Sequence, residues 1–265
     1  MRVRVLLAAR HPPQGRLPRG GVQSWTATVA SELKRNGVAV ECWGPEFPVP
    51  AGRFDIGIIA HVGDTRRVIP LCRRVMVVSH GIIAPENPGK YCCVYTSEGV
   101  RDHWGGAGPV IRQPIDLSFW SPGDSGEPAA VVRYGYYGGL VFLAEVAERL
   151  GMRFRRIHDA THEQARESMR SAVAVLASGR AALEAAACGA AVVICDDRPY
   201  QGPLLAPFGT EQMKQNYSGR GGVVPNPTSV QQAIEDAVKN RSATLAHVRQ
   251  HHDSRKIVEA LMGAA

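Results

Sequence analysis

The sequence predicts an α/β protein of two Rossmann-like parallel-sheet domains facing one another. Three observations carry this. Short apolar runs alternate with helical patterns along the chain, and repeated strand–helix–strand units produce parallel sheets covered on both faces. The alternation is interrupted between Gln113 and Pro128, a stretch with three prolines and no periodicity, which reads as an interdomain linker. The length of 265 residues, with 45% apolar and 21% charged side chains, suits one large globular domain or two small ones.

The elements follow in order. Val3 to Ala8 is a strand, and Val22, Trp25, Val29 and Leu33 mark one face of a helix that Gly37 ends. Val38 to Trp43 is a strand, followed by a loop with Pro45, Pro48 and Pro50. Asp55 to Ala60, Val75 to Ser79 and Tyr91 to Thr96 are short buried strands. Ser97 caps a helix with Val100 and Trp104, and Val110–Ile111 closes the first block. After the linker, Ala129 to Tyr134, Arg153 to Ile157, Ala172 to Ala177 and Ala190 to Cys195 are strands. Helices are predicted at Leu140 to Leu150, after Thr161, and over Arg180 to Cys188. A Gly/Pro-rich loop, Arg198 to Gly222, leads to Val223–Val224. Thr228 is the predicted cap of a helix through Val230, Ile234 and Val238, and one last helix spans about Thr244 to Leu261. The expected domains are 1–118 and 119–243, with a terminal helix 244–262 returning to the first.

No apolar stretch reaches the roughly 18–20 residues that span a bilayer. The start, MRVRVLLAARHPP, lacks a small-residue cleavage site and reads as a first strand, so the cytoplasm is the expected compartment. Six cysteines, Cys42, Cys72, Cys92, Cys93, Cys188 and Cys195, show neither CxxC nor zinc spacing and read as reduced packing thiols. The net charge of +7 is carried mostly by arginine, since only Lys34, Lys90, Lys214, Lys239 and Lys256 are lysines. A basic chain favours anionic partners: nucleotides, nucleic acid or membrane surfaces. The clusters Arg66–Arg67, Arg73–Arg74 and Arg153–Arg155–Arg156 read either as solvated faces or as an acceptor surface for such a polyanion.

The segment Val173 to Asp196, VAVLASGRAALEAAACGAAVVICD, is the most informative. A strand ends at Ala177, a turn carries Ser178 and Gly179, and a small-residue helix follows. A helix start at the carboxyl end of a parallel strand offers unpaired amides and a positive dipole end. Gly179 would let a phosphate approach the backbone, and Arg180 adds a positive charge. Glu184, one turn on, could accept from ribose hydroxyls. A plain strand–helix–strand unit accounts for the same residues equally well.

This segment resembles the nucleotide-sugar signature of GT-B glycosyltransferases, specifically the retaining "glycosyl transferases group 1" family. Three further segments agree in order: Gly20-Gly21-Val22 at the first helix, SHGI at Ser79 to Ile82, and TSEGVRDHW followed by VIRQPIDLSFWSP at Val110 to Pro122. The resemblance covers most of the chain and implies the GT-B architecture, with the donor in the interdomain cleft. It implies that Glu184 holds the donor ribose, and that Ser178, Gly179, Arg180 and Ala181 present the diphosphate-binding helix start. Arg133 would contact the diphosphate, Gly20 and Gly21 would contact phosphate or sugar, and His80 would approach the transferred sugar. Two positions depart from the family. Leu176 stands where the first Glu of its paired-Glu motif belongs, and a Tyr/Gly-rich stretch replaces the Lys expected after Arg133.

The implied mechanism is electrostatic. Breaking the anomeric carbon–phosphate bond builds negative charge on the diphosphate, which Arg133, Arg180 and the helix start would stabilise, with His80 the third catalytic candidate, at the transferred sugar. His80 and Asp116 are the candidates for deprotonating the acceptor, and His61 faces a strand end. Retention is implied by resemblance alone. A UDP-sugar is the expected co-substrate, with no cofactor and no metal. The short first domain and basic balance suit a large exposed acceptor such as hydroxymethylated bases in DNA, as in phage-type DNA modification. A lipid-linked or cell-surface glycan, a non-catalytic nucleotide or nucleic-acid binder, and a sugar-nucleotide epimerase are the alternatives.

Overall fold

The computed structural model describes residues 2–14, 20–123, 130–134 (backbone alone), 142–157, 160–195, 200–204 and 209–265. Parts of the expected linker (124–128), of the Arg198 to Gly222 loop, and of the helix start at Leu140 lie outside the described residues. The chain divides into two compact units. Unit 1 is Met1–Asp116 with His252–Ala265, and unit 2 is Leu117–His251.

Unit 1 runs through β1 (Arg4–Ala8), α1 (Gly21–Arg35), β2 (Ala39–Trp43), β3 (Phe54–Ile59), α2 (Val62–Thr65), β4 (Cys72–Ser79), β5 (Cys93–Tyr95) and α3 (Glu98–His103). All five strands are parallel, in the order β2-β1-β3-β4-β5. The sheet is buried on both faces, which is why its strands read as continuous apolar runs and not as alternation. Val5, Leu7, Ile56, Ile58, Met76 and Val78 pack on Trp25, Val29 and Leu33 of α1. Leu6, Ile59 and Val77 pack on the other face with Trp43, Phe54 and Val68. Cys92 is exposed just before β5, and Cys93, the first residue of the strand, is buried. Ser97 Oγ accepts the Val100 N–H at 3.3 Å, the expected cap of α3. The strand expected at Val110–Ile111 is only a single bridge from Val110 to Tyr95. Pro109 beside it has no N–H with which to extend a ladder.

Unit 2 runs through β6 (Ala130–Tyr134), α4 (Leu143–Arg149), β7 (Arg153–Ile157), α5 (His162–Arg170), β8 (Ala174–Ala177), α6 (Gly179–Ala187), β9 (Ala191–Ile194), β10 (Gly202–Pro203), α7 (Gly209–Lys214), α8 (Pro227–Lys239) and α9 (Arg241–His251). Its sheet order is β10-β9-β8-β6-β7, parallel except for β10. Thr161 Oγ1 accepts the Gln164 N–H and the Gln164 side chain reaches back to Thr161 N, a capping box for α5. α8 starts one residue before its expected cap. Asn226, not Thr228, is the N-cap, its Oδ1 2.9 Å from Ser229 N, because Pro227 is preorganised for the first helical position.

The expected single helix from Thr244 to Leu261 is two helices, α9 and α10 (Ser254–Ala264). Between them the backbone pairs with a distant segment. Ile115 N donates to His252 O at 2.7 Å, and Ser254 N donates to Ile115 O at 3.0 Å. Asp253 then caps α10 by accepting from Arg255 N at 3.0 Å. His252 is buried with Nδ1 2.8 Å from Gln113 O, and neighbouring His251 is half-buried. α10 belongs to unit 1: Val258 and Leu261 join the cluster around Trp25 and Val29, and Ser254 Oγ lies 3.4 Å from Glu32 Oε2.

Candidate functional site

Ligands of open parallel sheets bind outside the carboxyl ends of the strands, where the strand order reverses. In unit 1 that point lies between β1 and β3, and in unit 2 between β6 and β8. Gly20, Gly21 and His61 lie at the first of these points, with His80 after the neighbouring strand β4, and Ser178 to Glu184 lie at the second.

In unit 1, Gly20 caps α1, and its N–H donates to the Gln23 side chain at 2.9 Å. Its φ is −88°, and a methyl group on Gly20 or Gly21 would meet nothing within 4 Å. The backbone therefore does not require glycine here; what the two glycines supply is open space beside a helix start. His80 follows β4, is 9% exposed, and meets the Trp25 ring edge-on with centroids 4.8 Å apart. Trp25 is thus the side chain that joins His80 to the first turns of α1. Asp116 is elsewhere. It pairs with Arg35 at 2.6 Å, at the carboxyl end of α1. A helix of that length spans about 22 Å, so Asp116 is remote from His80 within the unit.

His61 ends the β3 side of the same switch point, in left-handed backbone with φ 54°. Burial pushes its imidazole down to about 4, Arg10 and His11 add to this, and Asp64 opposes it. Glu86 Oε1 stands 3.7 Å from Nε2, and Arg10 N points at Nδ1 from 3.4 Å. An unfolded histidine titrates near 6.5, so between about 4 and 6.5 the unfolded chain binds more protons than the folded one. Stability is then expected to fall by about 3 kcal/mol as pH drops from 6.5 to 4. His61→Asn keeps the left-handed backbone and should flatten this limb in urea unfolding series. An unchanged limb would assign the acid sensitivity to other groups.

In unit 2, β6 and β8 are adjacent, with Arg133 opposite Leu176 and Tyr134 opposite Ala177. This places the Arg133 backbone one strand from the turn that opens α6; its side chain lies outside the description. Ser178 is the N-cap in extended backbone, and Gly179 takes φ +59°. That angle favours glycine, so Gly179 is dictated by the turn itself. Ala182, Leu183, Ala185, Ala186 and Ala187 are fully buried, and the small side chains let α6 sit deep in the unit. Arg180 Nε donates to Glu184 Oε1 at 2.7 Å, and each side chain is only 5% exposed. Burial pushes the Glu184 carboxyl up from its ordinary value, and the Arg180 guanidinium pulls it back. Arg180, Glu184, Ser178, Gly179 and Ala181 therefore form one group, with the two charged members turned to each other.

Tyr217 belongs to this group; the sequence offers the segment Glu211 to Tyr217 as a flank for a donor base or a subunit contact, and does not reveal the main-chain role of Tyr217. Its carbonyl accepts the Gly179 N–H at 2.6 Å, and its hydroxyl is 2.7 Å from His247 Nε2 on α9. Asn216 and Tyr217 both have φ 55°. Adjacent non-glycine residues in left-handed backbone are costly and persist only where the surroundings hold them. Here a buried ring 1% exposed and two hydrogen bonds do so. Glu211, on α7, lines a cavity of about 530 Å³ with Tyr200, Gln201, Val223, Gln232 and Asp236. Trp120 packs edge-on against Phe119 and near His162, and Trp104 Nε1 donates to Gly81 O at 2.9 Å. No helix among the described residues is long and apolar enough to cross a membrane.

No family model matches the chain, and no curated protein matches its sequence. Solved structures match it in fold. MurG of Acinetobacter baumannii is 11% identical with a TM-score of 0.50, over 98% of this chain and 99% of that one. The DNA-modifying enzyme β-glucosyltransferase, solved with and without uridine diphosphoglucose, is 11% identical with a TM-score of 0.55, over 100% and 99%. A Listeria monocytogenes protein assigned as a UDP-N-acetylglucosamine 2-epimerase is 10% identical with a TM-score of 0.60, over 100% and 96%. At such identities the likeness is one of fold: two Rossmann-like α/β units, the GT-B fold.

Proposed function

We propose that the protein is a nucleotide-sugar-dependent glycosyltransferase that moves a hexosyl group from a UDP-sugar to a hydroxyl acceptor, with retention, and that the acceptor is a hydroxymethylated base in DNA. The observation that carries the donor reading is the β8–α6 turn. It stands at the switch point of a parallel sheet, uses a left-handed Gly179, and opens a helix bearing Arg180 and Glu184. Amides at a helix start have no intrahelical acceptor and favour anions. The Gly179 amide is held by Tyr217, so the diphosphate would address the amides that follow it. Arg180 and Arg133 supply charge for the leaving diphosphate in this reading, and Glu184, which holds Arg180, is the candidate acceptor for the donor ribose hydroxyls. The DNA acceptor is supported by the net charge of +7 and by a DNA-modifying enzyme among proteins of like fold.

The test is thermal stability against UDP, GDP, ADP and dTDP and their sugar conjugates. A ligand at about 100-fold its dissociation constant adds about 2.7 kcal/mol. Stabilisation by the uridine series is expected, followed by glucosyl-type mass gain on hydroxymethylated duplex nucleosides. Stabilisation by none of them would remove the donor reading. An isomerised free sugar nucleotide in place of transfer would make the chain an epimerase.

A further inference from the structure

The amino ends of the unit 1 strands carry a feature the donor site does not use. The β1–β3 and β3–β4 registers put Arg4, Asp55 and Arg73 at one level across three adjacent strands. Arg53 immediately precedes β3, Arg74 follows Arg73, and Arg2 precedes β1; all are exposed. Their contacts tie them to one edge. Arg4 Nη1 donates to Arg53 O at 2.9 Å, Arg53 Nη1 to Pro70 O at 3.0 Å, and Arg2 Nε to Gly37 O. Asp55 is the carboxylate of this row: it accepts from Arg4 N at 2.9 Å and stands 3.7 Å from Arg73 Nη1. The Arg73 side chain remains 74% exposed in spite of that contact.

Arg4, Asp55 and Arg73 share one face of the sheet by register, Arg74 projects to the other, and with Arg2 and Arg53 they make a dense positive edge at the amino ends of the strands. Neighbouring strands lie about 4.8 Å apart and residues about 3.3 Å apart along a strand. Arg4 and Arg73, two strands apart, are therefore about 10 Å apart at the backbone, and Arg73 is about 20 Å from Ser79 at the carboxyl end. The edge is thus separate from the switch point that holds His61 and His80.

We infer that this arginine edge of unit 1 is a docking surface for the phosphodiester backbone of duplex nucleic acid, remote from the chemistry. Arginine presents a planar fork that pairs with phosphate in two-point fashion. A bilayer surface fits less well. Stable attachment to lipid needs an apolar anchor besides charge, and the segments of this edge expose only Val3 at 43% and Val49 at 42% as large aliphatic side chains. Docking here would raise affinity for long duplexes and leave the donor site unaltered. The inference does not depend on the donor reading.

The experiment measures binding of a fluorescein-labelled 30-base-pair duplex, across salt concentrations, by the full chain and by R73E/R74E and D55N. Wild type is expected to bind with an affinity that falls steeply with salt. R73E/R74E should lose at least about tenfold in affinity, with a log–log salt slope shallower by about 2. D55N, which removes the one carboxylate and keeps an acceptor for Arg4 N–H, should bind more tightly. Melting temperature and sugar-nucleotide stabilisation should be the same in all three, which separates failure of this inference from failure of the donor reading. Equal duplex binding by wild type and R73E/R74E overturns it. So does the absence of duplex binding, and so does wild-type sedimentation with phosphatidylglycerol vesicles without duplex binding.

Discussion

Glu184→Ala is expected to destabilise unit 2 by about 3–5 kcal/mol, which would bring a domain of ordinary stability close to unfolding. The reason is the burial of its partner. Arg180 and Glu184 are each 5% exposed and meet at 2.7 Å on consecutive turns of α6. Removing the carboxylate takes away the counter-charge that offsets much of the cost of burying the guanidinium. Replacing both members with methionine removes both charges together and should recover most of the loss, since apolar substitution of a whole buried pair is often neutral or stabilising. Urea unfolding of E184A, R180M and R180M/E184M completes the cycle. A loss under about 1 kcal/mol in E184A would show that the site admits water and that the pair is not interior.

The same double variant carries the second large effect. If Arg180 stabilises the diphosphate as it leaves, R180M/E184M should fold normally and turn over about 10²–10³-fold more slowly. Single variants cannot show this, because their loss of stability would lower the rate by itself. The readout is kcat for donor hydrolysis or transfer, measured where the circular dichroism of the variant matches wild type. A rate within about threefold of wild type would make Arg180 a structural partner of Glu184, with the charge supplied by the helix start and Arg133.

The strands were legible because burial on both faces leaves continuous apolar runs, as in Val5 to Ala8 and Ala174 to Ala177. The period of Trp25, Val29 and Leu33 gave α1, and Ser97 and Thr161 announced their helices by the chemistry of their side chains. These are local signals. The break at His252–Asp253 was not legible, since it depends on backbone pairing with Ile115, far away in sequence. A run of helix-forming residues continues on both sides and conceals it. At the candidate site, the spacing of Arg180 and Glu184 permitted an ion pair, but nothing in the sequence said that both would be buried. The Tyr217 carbonyl was invisible for a different reason: a main-chain acceptor leaves no residue-type signature.

The return of α10 to unit 1 also bears on how the chain is made. On a ribosome, β1 through α3 emerge first, and the face of α1 that carries Trp25, Val29 and Leu33 must wait for Val258 and Leu261. All of Leu117–His251 is translated in between, roughly 7–27 s at about 5–20 residues per second. For that interval the nascent first unit presents an unfinished apolar surface while the second is able to fold. Biosynthesis thus reverses the order in which the units are encoded: the one begun first is completed last.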